Sequence, residues 1–252
     1  MLNSVVLGES RDRPPLLIAH GLFGSARNWR EISKRLSDSR KVIAVDMRNH
    51  GESFWSKTHT YPELADDLAE TIVSHGGMAD VLGHSMGGKA AMALALRRPE
   101  TVNRLVVADI APIAYDGSQT GLIRAMRGVD LATVERRADA DSALSAEVTD
   151  PATRAFLLQS LDLKERRWRL NLDALEAEMD GIVGWPEIAA MTQRPALFLR
   201  GAASDYVRPE ARPVIDRLFP AAAFAEIPGA GHWLHAEKPR EFEAVLRAFL
   251  DG

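Results

Sequence analysis

Gly83-His84-Ser85-Met86-Gly87 is a G-x-S-x-G pentapeptide, preceded by the apolar stretch 78–82 and followed at 88–97 by a run with helical spacing. That strand-turn-helix setting makes Ser85 the candidate nucleophile. A serine on so tight a turn has its hydroxyl pushed clear of the backbone, and a Cβ at either flanking glycine would meet the neighbouring strand or helix. Without that setting the five residues would read as an ordinary glycine-rich turn.

Outward from this turn, short apolar runs alternate with amphipathic segments. Residues 15–19, 42–45, 81–82, 105–107, 196–199 and 224–227 read as strands, most of them too unbroken to face water. Residues 29–36, 64–73, 87–97 and 242–250 have helical spacing; in the second, Leu64, Leu68 and Ile72 recur every four residues. The alternation predicts a mostly parallel α/β sheet covered on both faces, with ligands bound beyond the carboxyl ends of the strands. Between Pro112 and Pro186 it lapses: 119–127, 131–148, 152–161 and 172–182 read as helices with no strand between them. The expectation is a core of residues 1–111 and 187–252 with a helical cap inserted at 112–186. In that cap Arg136, Arg137, Glu165, Arg166 and Arg167 read as solvated helix faces, and Met126, Phe156, Trp168 and Trp185 as core rather than pocket.

The 252 residues are 46% hydrophobic, enough for one sizeable core. Lys and Arg total 31 against 35 Asp and Glu, a net charge of −4, so no basic field exists to hold a nucleic-acid backbone. There is no cysteine, which excludes thiolate nucleophiles, disulfides and cysteine metal sites. The first residues lack a basic stretch and break off their apolar run early, and the apolar run 90–96 is fenced by Lys89 and Arg97. These features predict a cytoplasmic protein with neither a secretory signal nor a membrane span.

A serine hydroxyl needs a base to take its proton, and the base needs a third group to fix its tautomer. Of seven histidines, His232 in Gly229-Ala230-Gly231-His232-Trp233 follows the last strand in a flexible loop and is the expected base. His235 reads as structural or exposed. His84 is expected to point off the far side of the turn, and His50, His59 and His75 have no partner that the sequence names. Asp109 and Asp205 each follow a strand and respect the order serine, acid, histidine. A charge at the end of a buried strand is costly unless paired, so at least one should meet a cation or His232. For the oxyanion, the Met86 amide and one from His20-Gly21-Leu22-Phe23-Gly24-Ser25 are expected, with Leu22 first and Phe23 as the alternative; either could instead simply pack.

Together, His20-Gly21-Leu22-Phe23-Gly24, Asp46-Met47-Arg48-Asn49-His50-Gly51-Glu52-Ser53, Gly83-His84-Ser85-Met86-Gly87-Gly88-Lys89 and Gly231-His232-Trp233 resemble the α/β-hydrolase superfamily along nearly the whole chain. The similarity runs closest to small cofactor-independent esterases and acyl-CoA thioesterases that carry a helical lid after the sixth strand. The resemblance implies an eight-stranded sheet, a Ser-His-Asp triad, and no metal or organic cofactor. In the commonest family pattern the acid stands in G-x-x-D-x-x-V after the seventh strand. Aligning Gly201 and Val207 puts Ser204 there and Asp205 one residue late. In the esterase branch the acid follows the sixth strand, where Asp109 stands, and a serine occupies the later position. Asp109 is therefore the expected acid, Asp205 the alternative, and Ser204 a hydrogen-bonding support for the histidine. The resemblance makes residues 46–53 scaffold, with Asp46 and Arg48 tying the loop down and Gly51 allowing a bend.

The expected activity is that of a serine carboxylesterase or thioesterase on small-molecule esters or thioesters of short to medium acyl length. Perhydrolase-type haloperoxidase, lactonase and carbon-carbon bond hydrolase chemistry would use the same triad, and a non-catalytic homologue would bind a ligand in the same pocket. An aspartate nucleophile would point to epoxide hydrolysis or dehalogenation; Ser85 argues against both.

Overall fold

Four-residue runs such as Leu16–Ala19 and Val42–Val45 have every side chain buried, because each lies inside a sheet packed on two sides. The computed structural model describes residues 1–9 and 12–252. Its main sheet contains β1 (Ser4–Leu7), β2 (Leu16–Ala19), β3 (Val42–Val45), β4 (Ala79–His84), β5 (Val102–Ala108), β8 (Ala196–Gly201) and β9 (Ala222–Ile227). The order is β1-β3-β2-β4-β5-β8-β9; β1 is antiparallel to β3 and every other pairing is parallel. Among the described residues the sheet thus has seven strands, not the eight expected. Strand β1 escaped sequence reading because it is a short edge strand whose Val5 and Val6 face solvent.

Alternation sorts the strand side chains to two faces. Leu17, Ala19, Ile43 and Val45 pack towards α2 (Tyr61–Ser74) and α3 (Met86–Arg97). Leu16, Ile18, Val42 and Ala44 pack with Ile32 and Leu36 of α1 (Arg30–Leu36) and with Phe242, Leu246 and Leu250 of α11 (Pro239–Asp251). At the amino end of β4, buried Asp80 accepts from Arg40 Nη1 at 2.5 Å.

Between β5 and β8 lie α4 (Thr120–Gly128), α5 (Arg137–Leu144), α6 (Pro151–Leu157), α7 (Leu172–Ala177) and α8 (Met179–Val183). The helix expected over 131–148 is shorter at both ends. It gives way to α6 at Pro151, where the Asp150 carboxylate accepts from the Thr153 amide at 2.8 Å. The expectation of no strand here is also corrected, since β6 (Leu161–Asp162) and β7 (Arg167–Trp168) form a hairpin. Its tight turn is held by the Asp162 carboxylate, which accepts from the Lys164 and Glu165 amides. Two residues per strand are too few to show a period. No helix among the described residues is long and apolar enough to cross a membrane. The remaining α-helices among the described residues are α9 (Arg212–Leu218) and α10 (Leu234–Glu237).

Candidate active site

Ser85 stands between β4 and α3 at φ +53° and ψ −122°, a left-handed conformation that non-glycine residues adopt only under constraint. The constraint is close packing of the turn. A Cβ on Gly83 would come within 2.2 Å of the Gly87 carbonyl oxygen, and one on Gly87 within 2.4 Å of the carbonyl oxygens of Ala19 and His20. The Ser85 amide is anchored on the Ala108 carbonyl of the next strand at 3.1 Å. The side chain lines a cavity of about 440 Å³ beyond the carboxyl ends of the strands, where Leu22, Phe156, Asp205, Tyr206, His232 and Trp233 also border it.

Asp109, the first residue after β5, is fully buried. Its Oδ2 accepts from His232 Nδ1 at 2.8 Å and from the Ser204 hydroxyl, while Oδ1 accepts from the Gly201 amide at 3.0 Å. Three donors satisfy a carboxylate that water does not reach. With Nδ1–H committed to Asp109, the His232 Nε2 carries a lone pair, the tautomer a general base requires. The Ser204 hydroxyl thus bonds Asp109 rather than the imidazole, a correction to its expected hydrogen bond with the histidine. Asp205 lies on the rim of the same cavity with its side chain exposed, and its carbonyl accepts from Arg208 Nε at 3.0 Å.

Around His232 the structure adds two tyrosines that sequence reading did not name. The Tyr206 ring stacks on the imidazole at 4.0 Å with 19° between planes, and Tyr206 is held in turn by its carbonyl, which accepts from the Tyr115 hydroxyl at 2.6 Å. His84 does not point away from the site. Its Nε2–H donates to the His232 carbonyl at 2.8 Å, its ring lies 4.6 Å from that of His232, and burial holds it neutral, well below 6.5. His235 is structural: buried and stacked on Trp29 at 4.1 Å.

Hydrogen bonding separates Leu22 and Phe23, the two amides of the loop after β2 that the sequence offers as oxyanion donors. The Phe23 amide already donates to His50 Nε2 at 3.1 Å, with Phe23 at φ +64°. The Leu22 amide makes no hydrogen bond among the described residues. Met86 begins α3, where amides at a helix start point outward without intrahelical partners. Lys89, one turn further along, is buried beside the cavity. Its Nζ donates to the carbonyls of Val183 at 2.8 Å and Gly184 at 2.5 Å, and lies 4.8 Å from the Tyr115 ring centre. Burial lowers its pKa to about 7. Phe156, expected in the core, is half-buried on the cavity wall and packs on Trp233 at 5.5 Å.

Residues 14–239 match the family model described as the alpha/beta hydrolase fold. The chain belongs to the α/β-hydrolase fold family. Within the family it is 41% identical over 248 residues to the mouse (Mus musculus) protein named sn-1-specific diacylglycerol lipase ABHD11, covering 94% of this chain and 81% of that protein. It is 38% identical to the Escherichia coli (strain K12) protein named esterase YbfF, over 95% of this chain and 93% of the relative. A solved structure described as a marine microorganism esterase superposes with a TM-score of 0.93 at 38% identity, covering 98% of each chain. The family's mostly parallel sheet, with helices on both faces, is the architecture described above.

Proposed function

We propose that the protein hydrolyses carboxylic esters through Ser85, and that Asp109 orients His232 as the base. In this reading the chain is a hydrolytic enzyme acting on ester bonds, as its relatives named esterase and lipase suggest. Ser85 attacks the acyl carbonyl as His232 Nε2 takes its proton. The imidazolium, steadied by buried Asp109, then protonates the leaving alcohol or thiol. The amides of Leu22 and Met86 receive the negative charge that develops on the carbonyl oxygen. Water, deprotonated by the same histidine, releases the acid from the acyl-enzyme. The observation that carries this reading is the Asp109 carboxylate, shared by His232 and Ser204, beneath a cavity that Ser85 also lines.

Residues 112–186 act as a cap over a core formed by 1–111 and 187–252. Leu122, Phe156, Ile182 and Val183 give the cavity an apolar side, and its volume of about 440 Å³ lies within the few hundred Å³ usual for small-molecule sites. That suits acyl groups of short to medium length, whether the leaving group is an alcohol or a thiol. The test is a fluorophosphonate probe on wild type and Ser85→Ala, followed by p-nitrophenyl esters of increasing length beside acyl-CoA thioesters. Labelling of wild type alone, with turnover peaking at short to medium chains, is expected. Absence of labelling in both proteins would favour a ligand-binding homologue without turnover.

A further inference from the structure

Residues 46–53 read as scaffold in the sequence, yet one side chain in them reaches the loop after β2. His50 is fully buried, and its Nε2 accepts the Phe23 amide at 3.1 Å. Nδ1 therefore carries the proton and donates to the Arg48 carbonyl at 2.9 Å, which fixes the ring and its tautomer. Its backbone is fixed as well. His50 pairs with Leu170, the Gly51 amide donates to the Arg169 carbonyl at 2.8 Å, and the Asn171 amide donates to the Asn49 carbonyl at 2.9 Å.

The peptide that His50 grips is the one that follows Leu22. The peptide before it is gripped too: His20 Nδ1–H donates to the Gly21 carbonyl at 2.8 Å, while His20 Nε2 accepts from the Met47 amide at 2.9 Å. The two imidazoles meet edge-on at 5.0 Å. Consecutive peptide planes on either side of Leu22 are thus set by two buried rings. Phe23 is held at φ +64°, a conformation that a free loop would leave.

We propose that His50 is a positioning residue that aims the Leu22 amide at the oxyanion by locking the Phe23 peptide. The proposal rests on the reading of Leu22 as an oxyanion donor. Burial keeps the His50 ring neutral, so that Nε2 remains an acceptor at neutral pH. An aliphatic side chain there would strip the Phe23 amide of the one acceptor it has among the described residues and free that peptide to turn. Catalysis is sensitive to such turning, because a displacement of about 1 Å in a positioned group costs on the order of 100-fold in rate.

The experiment compares wild type, His50→Leu and His50→Gln, whose amide oxygen falls near the place of Nε2. Three quantities are read: hydrogen exchange of the Phe23 amide without ligand, kcat and KM for p-nitrophenyl butyrate, and Ki for a trifluoromethyl ketone that mimics the tetrahedral oxyanion. In His50→Leu the amide is expected to exchange at least about 10-fold faster and kcat to fall roughly 10- to 100-fold. KM is expected to stay within about threefold, and Ki to rise in step with the loss in kcat/KM. His50→Gln is expected to recover most of each. If His50→Leu does not fold, His50→Asn takes its place, since its shorter side chain leaves the acceptor out of reach. Unchanged exchange and unchanged Ki in the variant lacking the acceptor would overturn the proposal, as would a folded His50→Gln as impaired as that variant. If wild type has no ester turnover, the proposed function fails, and the exchange measurement alone still decides whether His50 holds the loop.

Discussion

The Ser204 hydroxyl and the His232 Nδ1–H donate to one and the same oxygen, Oδ2 of Asp109, across 95 and 123 residues of chain. The later serine and the earlier aspartate thus act as one unit at the ends of the adjacent strands β5 and β8. A third donor, the Gly201 amide, occupies the other oxygen. The carboxylate is therefore held against the imidazole rather than free to rotate.

Asp109→Asn leaves the shape almost unchanged but no longer accepts from His232 Nδ1–H as a carboxylate does. We expect kcat to fall about three to four orders of magnitude, the size seen when a triad aspartate becomes asparagine. Asp205→Asn, at an exposed rim position, is expected to stay within about twofold of wild type. Steady-state kinetics on a p-nitrophenyl ester checks both. Loss of turnover in Asp205→Asn with near-normal Asp109→Asn would reverse the assignment.

Ser204→Ala removes one of three donors from a carboxylate buried away from water. A hydrogen bond to a charged group contributes about 1.5–3 kcal/mol. The expected outcome is a roughly tenfold fall in kcat and a lower melting temperature, measured on the same preparation. Ser204→Thr, which keeps the hydroxyl, is expected to recover part of each.

Acid should unfold the protein readily. Burial holds His20, His50, His59, His84 and His235 below their ordinary value, with His59 and His235 each lowered to about 3. Below pH 6.5 the unfolded chain takes up protons at these positions that the folded chain refuses. Stability is thus present in full above 6.5 and declines as pH falls towards 3, with His59 and His235 each accounting for about 2 kcal/mol of the loss by pH 5. Urea midpoints at pH 7.5, 6 and 5 are expected to fall steeply, with His235→Phe showing a shallower fall. A midpoint independent of pH over this range would contradict the burial argument.

Arg40 offers a change that separates stability from catalysis. It meets Asp80 at 2.5 Å and Asp251 at 2.6 Å at the amino end of the sheet, opposite Ser85. Arg40→Met leaves Asp80 with Asn103, whose Nδ2 donates at 2.7 Å, as its side-chain partner, and removing one member of a buried pair costs about 3–5 kcal/mol. Denaturant melts should show this loss while kcat per folded molecule is unchanged.

Most of the sheet was legible because β2, β3, β4, β5 and β8 are buried on both faces and so read as unbroken apolar runs. Strand β1 carries no such signal, since half of it faces water, and the hairpin β6–β7 depends on Asp162 gripping its own turn. The turn around Ser85 was readable because its glycines are local requirements of packing. Contacts between distant residues were not: nothing near Tyr206 in the sequence says that its ring will lie on His232, or that His50 will find the Phe23 amide 27 residues away. His84 was misplaced for a related reason. Its direction is set by the carbonyl of His232, 148 residues on.

In the proposed mechanism every acyl group passes through a covalent bond to Ser85. Rapid quenching of wild type with p-nitrophenyl butyrate, followed by digestion and peptide mass measurement, reads this directly. The expected result is a burst of one p-nitrophenol per protein and a butyryl group on the peptide containing Ser85, accumulating further when deacylation is slowed. Turnover without any adduct, or an adduct on another residue that survives Ser85→Ala, would contradict the account.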